Sequence, residues 1–161
     1  MVSFNFDIKK NIDLSDAIFK NISKIKNKYV KYGFLNSAPP YPNGESVAQR
    51  ALKNELGFIT STGKRVPPRP FFQECWNNNL PTYHKAFEGF FAKTINGTGN
   101  PDTYFLEKLG MKAAKDLQYT IVEFDNPPNA PETIAYKGFD DPLIETGHML
   151  ESVNYEVVTD A

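Results

Sequence analysis

Apolar residues recur along this chain with two periods, and the changes of period mark out its elements. Val2, Phe4, Phe6 and Ile8 alternate with Ser3, Asn5 and Asp7, the spacing of a strand with one buried face. Asp13 or Ser15 can then cap a helix in which Leu14, Ile18, Ile22, Ile25 and Tyr29 recur at helical spacing. Lys20, Lys24, Lys26 and Lys28 fall mainly off that stripe, which predicts an amphipathic helix with a basic outer face. Val30, Tyr32 and Phe34 alternate with Lys31 and Gly33 and predict a second strand. Pro39, Pro40, Pro42 and Gly44 exclude a regular element after it. Ser46 and Gln49 stand at capping-box spacing, where each side chain can satisfy an orphan backbone donor. The helix they open carries Val47, Ala51, Leu52 and Leu56 and is expected to stop at Gly57.

Residues 58–70 combine Thr60, Ser61, Gly63, Lys64 and Arg65 with three prolines, so a loop leading into a stiff extended segment is predicted. Residues 71–76 are expected to anchor on the core, and a helix with Tyr83, Phe87, Phe90 and Phe91 is expected to run from Pro81 to about Lys93. Asn100-Pro101-Asp102 places a cap, a first-position proline and an early acid together, a helix start. Leu106, Leu109, Ala113, Leu117 and Ile121 carry that helix to about Phe124, where Pro127 and Pro128 end it. A short capped helix over 129–137 closes at Gly138. Thr146 is read as the N-cap of one last helical turn, and Val153, Tyr155 and Val157 mark a terminal strand. Strands grouped towards both ends, with helices between, predict a single α+β domain over residues 1–161 with a small, mostly antiparallel sheet.

Composition fits one packed domain: 161 residues, 40% hydrophobic and 14% aromatic, too rich for a disordered chain. The formal net charge of −1 supplies no general attraction to nucleic acid. No signal-peptide pattern and no apolar run approaching ~18 residues is present, so a soluble protein made in a cytoplasm is expected, with no membrane partner. Candidate chemistry is sparse. His84 and His148 stand far apart and near no cysteine or paired acid, so no metal site is expected; they are read as an exposed helix residue and a turn residue. There is no phosphate-loop spacing and no Gly-x-Ser-x-Gly elbow. Cys75, the lone cysteine, is read as a buried inert thiol. Glu55 and Glu74 are read as a solvated helix acid and a rim charge. No catalytic residue, cofactor or metal is assigned, and an enzyme is not expected.

Three blocks carry a resemblance. Pro142-Leu143-Ile144-Glu145-Thr146-Gly147, followed by Ser152, Tyr155 and Val157, closely resembles the C-terminal signature of the neck, or tail-completion, proteins of tailed bacteriophages. Tyr41-Pro42-Asn43-Gly44, Asn54-Glu55-Leu56-Gly57 and Val66-Pro67-Pro68-Arg69-Pro70-Phe71 look like the central pattern of the same family. Pro127-Pro128, Thr133-Ile134 and Lys137-Gly138 resemble its linker into the terminal motif. Residues 76–100 carry no family signature. The resemblance implies a homo-oligomeric ring, a hexamer, in the virion neck between the head connector or adaptor and the tail terminator or tail tube, with DNA passing through its lumen only as cargo. Tail-terminator or tail-tube-associated rings are the alternative. From another class, a nucleic-acid-binding module would use Lys20, Lys24 and Lys28 at i, i+4 spacing; a solvated helix face is the simpler reading of that row. Within the proline-rich and 58–68 loops, Pro40, Tyr41, Asn43, Lys64 and Arg65 are the interface candidates. Arg69, Pro70, Phe71, Leu143, Thr146, Gly147 and Ser152 are expected to be architectural.

Overall fold

The computed structural model describes residues 16–23, 26–95 and 103–159. The expected first strand, the Asp13 or Ser15 cap, and the Asn100-Pro101-Asp102 helix start lie outside the described residues. Within them the class is α+β, as the periodicity predicts. The chain runs α1 (Asp16–Ser23), β1 (Lys28–Phe34), α2 (Val47–Leu56), β2 (Phe58–Ile59), β3 (Arg65–Val66), α3 (Phe71–Ile95), α4 (Thr103–Glu123), α5 (Pro131–Lys137), α6 (His148–Glu151) and β4 (Val153–Thr159). β1 pairs with β4, so strands far apart in sequence share one two-stranded sheet, while β2 and β3 form a second.

Five local expectations are corrected. The helix expected to carry its apolar stripe on to Tyr29 gives way to β1, which begins at Lys28. The predicted loop at 58–66 is an antiparallel hairpin in which Phe58 faces Val66 and Ile59 faces Arg65. Its strands are too short to show a period, and its turn is built by Thr60. The Thr60 N–H donates to Lys64 O at 2.8 Å, and the Thr60 hydroxyl accepts from Lys64 N at 3.0 Å. The helix expected at Pro81 starts at Phe71 and carries Pro81 inside it. The start is fixed by a residue distant in sequence: the Glu55 carboxylate accepts from Phe72 N at 2.9 Å and Gln73 N at 3.1 Å, satisfying two donors that have no partner in the first helical turn. Glu55 is therefore a cap for α3 and not a solvated acid. The helix expected over 129–137 begins at Pro131 behind Ala130, which offers no side-chain cap. Finally, Gly147, not Thr146, stands at the N-cap of α6, with φ +80. Its carbonyl accepts from Glu151 N at 2.9 Å, whereas the Thr146 hydroxyl takes only a long bond of 3.4 Å from His148 N.

The described residues gather into two compact units. One draws on chain up to Lys31, on Pro81–Gly110 and on the stretch from Glu156; the other comprises Tyr32–Leu80 and Met111–Tyr155. The boundaries in α3 and α4 fall at Pro81 and Gly110, residue types that weaken a helix. In the first unit Phe105 stacks on Phe90 at 4.1 Å between ring centroids and meets Phe87 edge-on at 5.4 Å. Tyr83 and Leu106 are buried there, and Lys31 pairs with Glu156 at 3.3 Å.

The second unit holds the larger core. Val47 and Ala51 from α2, Phe71 and Cys75 from α3, and Ala114, Leu117 and Ile121 from α4 close on Leu143, Met149 and Val153. Burial of the larger of these, Val47, Phe71, Leu117, Ile121, Leu143, Met149 and Val153, stabilises by about 1.5–3 kcal/mol each. The capping box is present, with Gln49 N donating to Ser46 Oγ and Ser46 N to Gln49 Oε1, both at 3.2 Å. α2 ends at Gly57, where φ is +72 and a Cβ would lie 2.8 Å from Val66 O and Pro68 N. Only glycine lets the hairpin fold back this closely on the helix end. Cys75 is fully buried, and burial pushes its thiol pKa up, which disfavours the thiolate.

Candidate functional site

The second unit carries a groove of about 490 Å³ between α2, the hairpin, α5 and the 142–149 segment. Its floor is organised by Arg69, whose residue is only 6% exposed. The guanidinium donates from Nε to Pro127 O at 3.3 Å, from Nη1 to Pro142 O at 3.1 Å, and from Nη2 to Pro128 O at 3.3 Å and Asn129 Oδ1 at 3.1 Å. A planar fork with donors fixed in direction suits four acceptors on two separate segments, which a lysine ammonium would not. Its backbone N–H is bonded to Asn54 O at 2.7 Å. Burial pushes the Arg69 pKa down, and the field of Asp140 opposes the shift. Asp140 also accepts from Asn129 N at 2.9 Å, so the carboxylate and the guanidinium hold the same segment. Asn129 Nδ2 is buried without a partner among the described residues, an arrangement that costs on the order of 1–3 kcal/mol.

One wall is a charge and ring cluster on α2 and the loop before it. Glu45 accepts from Arg50 Nε at 2.7 Å and from Lys53 Nζ at 2.6 Å, and these bonds, Lys53 foremost, hold its carboxyl below the usual range against the opposing effect of burial. The Arg50 guanidinium lies 4.5 Å from the Tyr41 ring centroid, and His148 meets Tyr41 edge-on at 4.8 Å. Burial raises the Tyr41 pKa, with Arg50 opposing. The His148 ring nitrogen Nε2 lies 3.0 Å from Pro39 O, which ties the proline-rich loop to α6. α5 contributes to the lining as well, with Tyr136 at 84% exposure and Lys137 bonded to Asp141 O at 2.6 Å. Burial lowers the Lys137 pKa, with Asp141 opposing. Arg65 and Phe58 project from the hairpin into the same lining.

Of the interface candidates, Tyr41 and Arg65 are brought together in this groove, whereas Pro40, Asn43 and Lys64 are not part of its lining. Pro40 and Asn43 are exposed on the loop above it. The Asn43 side chain accepts from Glu45 N at 3.1 Å, shaping the turn. Tyr41 itself is half-buried and packs on the core, so the loop is tied down rather than extended. Lys64 pairs with Glu132 at 3.7 Å, both largely exposed, a contact worth little in solvent. The residues expected to be architectural are distributed through the same unit. Phe71 and Leu143 are core, Pro70 is exposed with its carbonyl accepting from Glu74 N at 2.9 Å, and the Ser152 hydroxyl donates to His148 O at 2.7 Å. Thr146 and Gly147 line the groove. Asn129 carries no signal in local sequence that marks it as a groove residue, because its partners Arg69 and Asp140 come from other segments, whereas Glu45 and Lys137 bond to residues close by in sequence.

No protein-family pattern, curated protein or solved structure matches this chain. Function therefore rests on the residues and their geometry. Among the described residues, no group of three His, Cys, Asp or Glu side chains is placed to hold a metal ion. Among them too, no helix is long and apolar enough to cross a membrane. The groove's cations are Arg50, Lys53, Arg65, Arg69 and Lys137, and its carboxylates are Glu45 and Glu145, so its lining is basic in a chain of net charge −1. With tyrosines and prolines between the charges, such a surface can bind and orient a partner.

Proposed function

We propose that this chain is a structural protein of a tailed-phage virion. In that role it assembles into a hexameric ring at the head–tail junction, docks to the head connector on one face and to the tail on the other, and leaves DNA a passage through the lumen. The observation that carries the reading is the Arg69 clamp. The three sequence blocks that resemble the neck-protein family are separated along the chain, yet one side chain joins them. Arg69, from the central block, is bonded to Pro127 and Pro128 of the linker block and to Pro142 at the start of the terminal motif. Residues that form one interdependent structural unit support a resemblance built on their order and spacing better than three unrelated turns would. Assembly by subunit docking needs positioned interface residues and no reacting group.

The test is negative-stain imaging of the purified protein, with closed rings of one size expected. A protein that is monomeric both alone and when recovered from intact particles overturns the proposal.

A further inference from the structure

We infer that the groove between α2, the hairpin and α5 seats an acidic, extended peptide segment of a neighbouring protein in the assembly. The inference rests on the virion reading only for where that segment comes from; its chemistry follows from the groove. The charges are not balanced within it. Glu45 is shared by Arg50 and Lys53, at 2.7 and 2.6 Å. Arg65 has no carboxylate within ion-pair distance among the described residues. Lys137 donates its hydrogen bond to a neutral carbonyl, Asp141 O, and feels the carboxylates of Asp141, Glu145 and Asp140 only through their field. Arg65 on the hairpin and Lys137 on α5 both line the groove, and carboxylates match a guanidinium fork and an ammonium respectively. The rings in the same lining, Tyr41, Phe58 and Tyr136, are of the types that anchor peptide side chains, and Tyr136 is 84% exposed.

The same lining argues against nucleic acid. Glu45 and Glu145 stand among the cations and would repel an unbroken row of phosphates, whereas a peptide can set its acids opposite Arg65 and Lys137 and place apolar side chains elsewhere. A volume of about 490 Å³ also suits a short segment more than a duplex. The Arg69 clamp holds the floor rigid before binding, which reduces the ordering cost of a weak polar ligand.

The experiment uses the full chain and a fluorescein-labelled peptide of repeated Glu-Pro-Glu-Ala, read by fluorescence anisotropy at low and high salt. Saturable binding that weakens with salt is expected, and a Gln-for-Glu peptide is expected not to bind. Arg65→Ala and Lys137→Gln should each weaken binding about fivefold, the effect of one partly exposed ion pair, with circular dichroism melts verifying that both variants fold. Equal binding of the Glu and Gln peptides, no binding of either, or tighter binding of a labelled ten-residue deoxythymidine strand overturns the inference. Rings seen without peptide binding would reject this inference alone. Peptide binding by a protein that is monomeric both alone and when recovered from intact particles would reject the virion reading and leave the groove's chemistry standing.

Discussion

Arg69 concentrates more of the second unit's order than any other polar side chain described, because its four acceptors lie 58 to 73 residues away in sequence. Replacing it leaves those carbonyls with nothing to accept from, so Arg69→Met should destabilise by about 3 kcal/mol. Arg69→Lys should recover only part of that, since one ammonium cannot fork. Urea denaturation of both variants measures it; a loss below about 0.5 kcal/mol for Met would show the clamp to be dispensable. Tyr32 makes the opposite case. Its ring stacks on Phe72 at 5.5 Å while its hydroxyl is buried with no partner among the described residues, and burial raises its pKa. Tyr32→Phe keeps the stack and removes the unmet group, so the melting temperature should hold or rise. A clear fall in the melt would mean the hydroxyl is satisfied. Neither role was legible in the sequence: alternation puts Tyr32 on the buried face of a strand, and the motif singles out Arg69, but partners drawn from distant segments leave no local mark.

Elements were legible where they carry their own punctuation. The capping box of α2, the Gly57 and Gly138 stops, β4 and the end of α4 follow from period and caps, whereas β1 takes in Lys28 and Tyr29, which helical spacing assigned to the preceding helix. The hairpin and the start of α3 did not follow, because a two-residue strand shows no period and the α3 cap comes from Glu55 on α2. That cap can be tested: Glu55→Ala should cost about 1 kcal/mol, and a melt equal to that of the unmodified protein would remove Glu55 from the account of why α3 starts at Phe71. Glu45 joins the proline-rich loop to Arg50 and Lys53 of α2. Its carboxyl titrates lower in the folded than in the unfolded chain. The folded state therefore binds this proton less readily, and the stabilisation is fully present above the unfolded glutamate value of roughly 4.3 and lost as pH falls through the folded one. Stability measured between pH 7 and pH 3 should fall less steeply for Glu45→Gln than for the unmodified chain; parallel curves would contradict the assignment.

At the scale of the molecule, α+β class and the pairing of strands from widely separated parts of the chain were legible, since grouping strands towards both ends leaves them each other as partners. The division into two units was not, because it falls inside continuous helices at Pro81 and Gly110, where sequence gives no linker. The groove was legible only in part: Tyr41 and Arg65 were recognisable as interface residue types, but the walls that face them belong to segments beyond 128. The central claim, a ring protein at the head–tail junction, is tested most directly by electron microscopy of particles carrying a C-terminally tagged copy of this chain, labelled with gold. The account predicts gold at the junction between head and tail, in particles whose tails are attached. Gold on the capsid faces or the distal tail, or its absence from tailed particles, would contradict it.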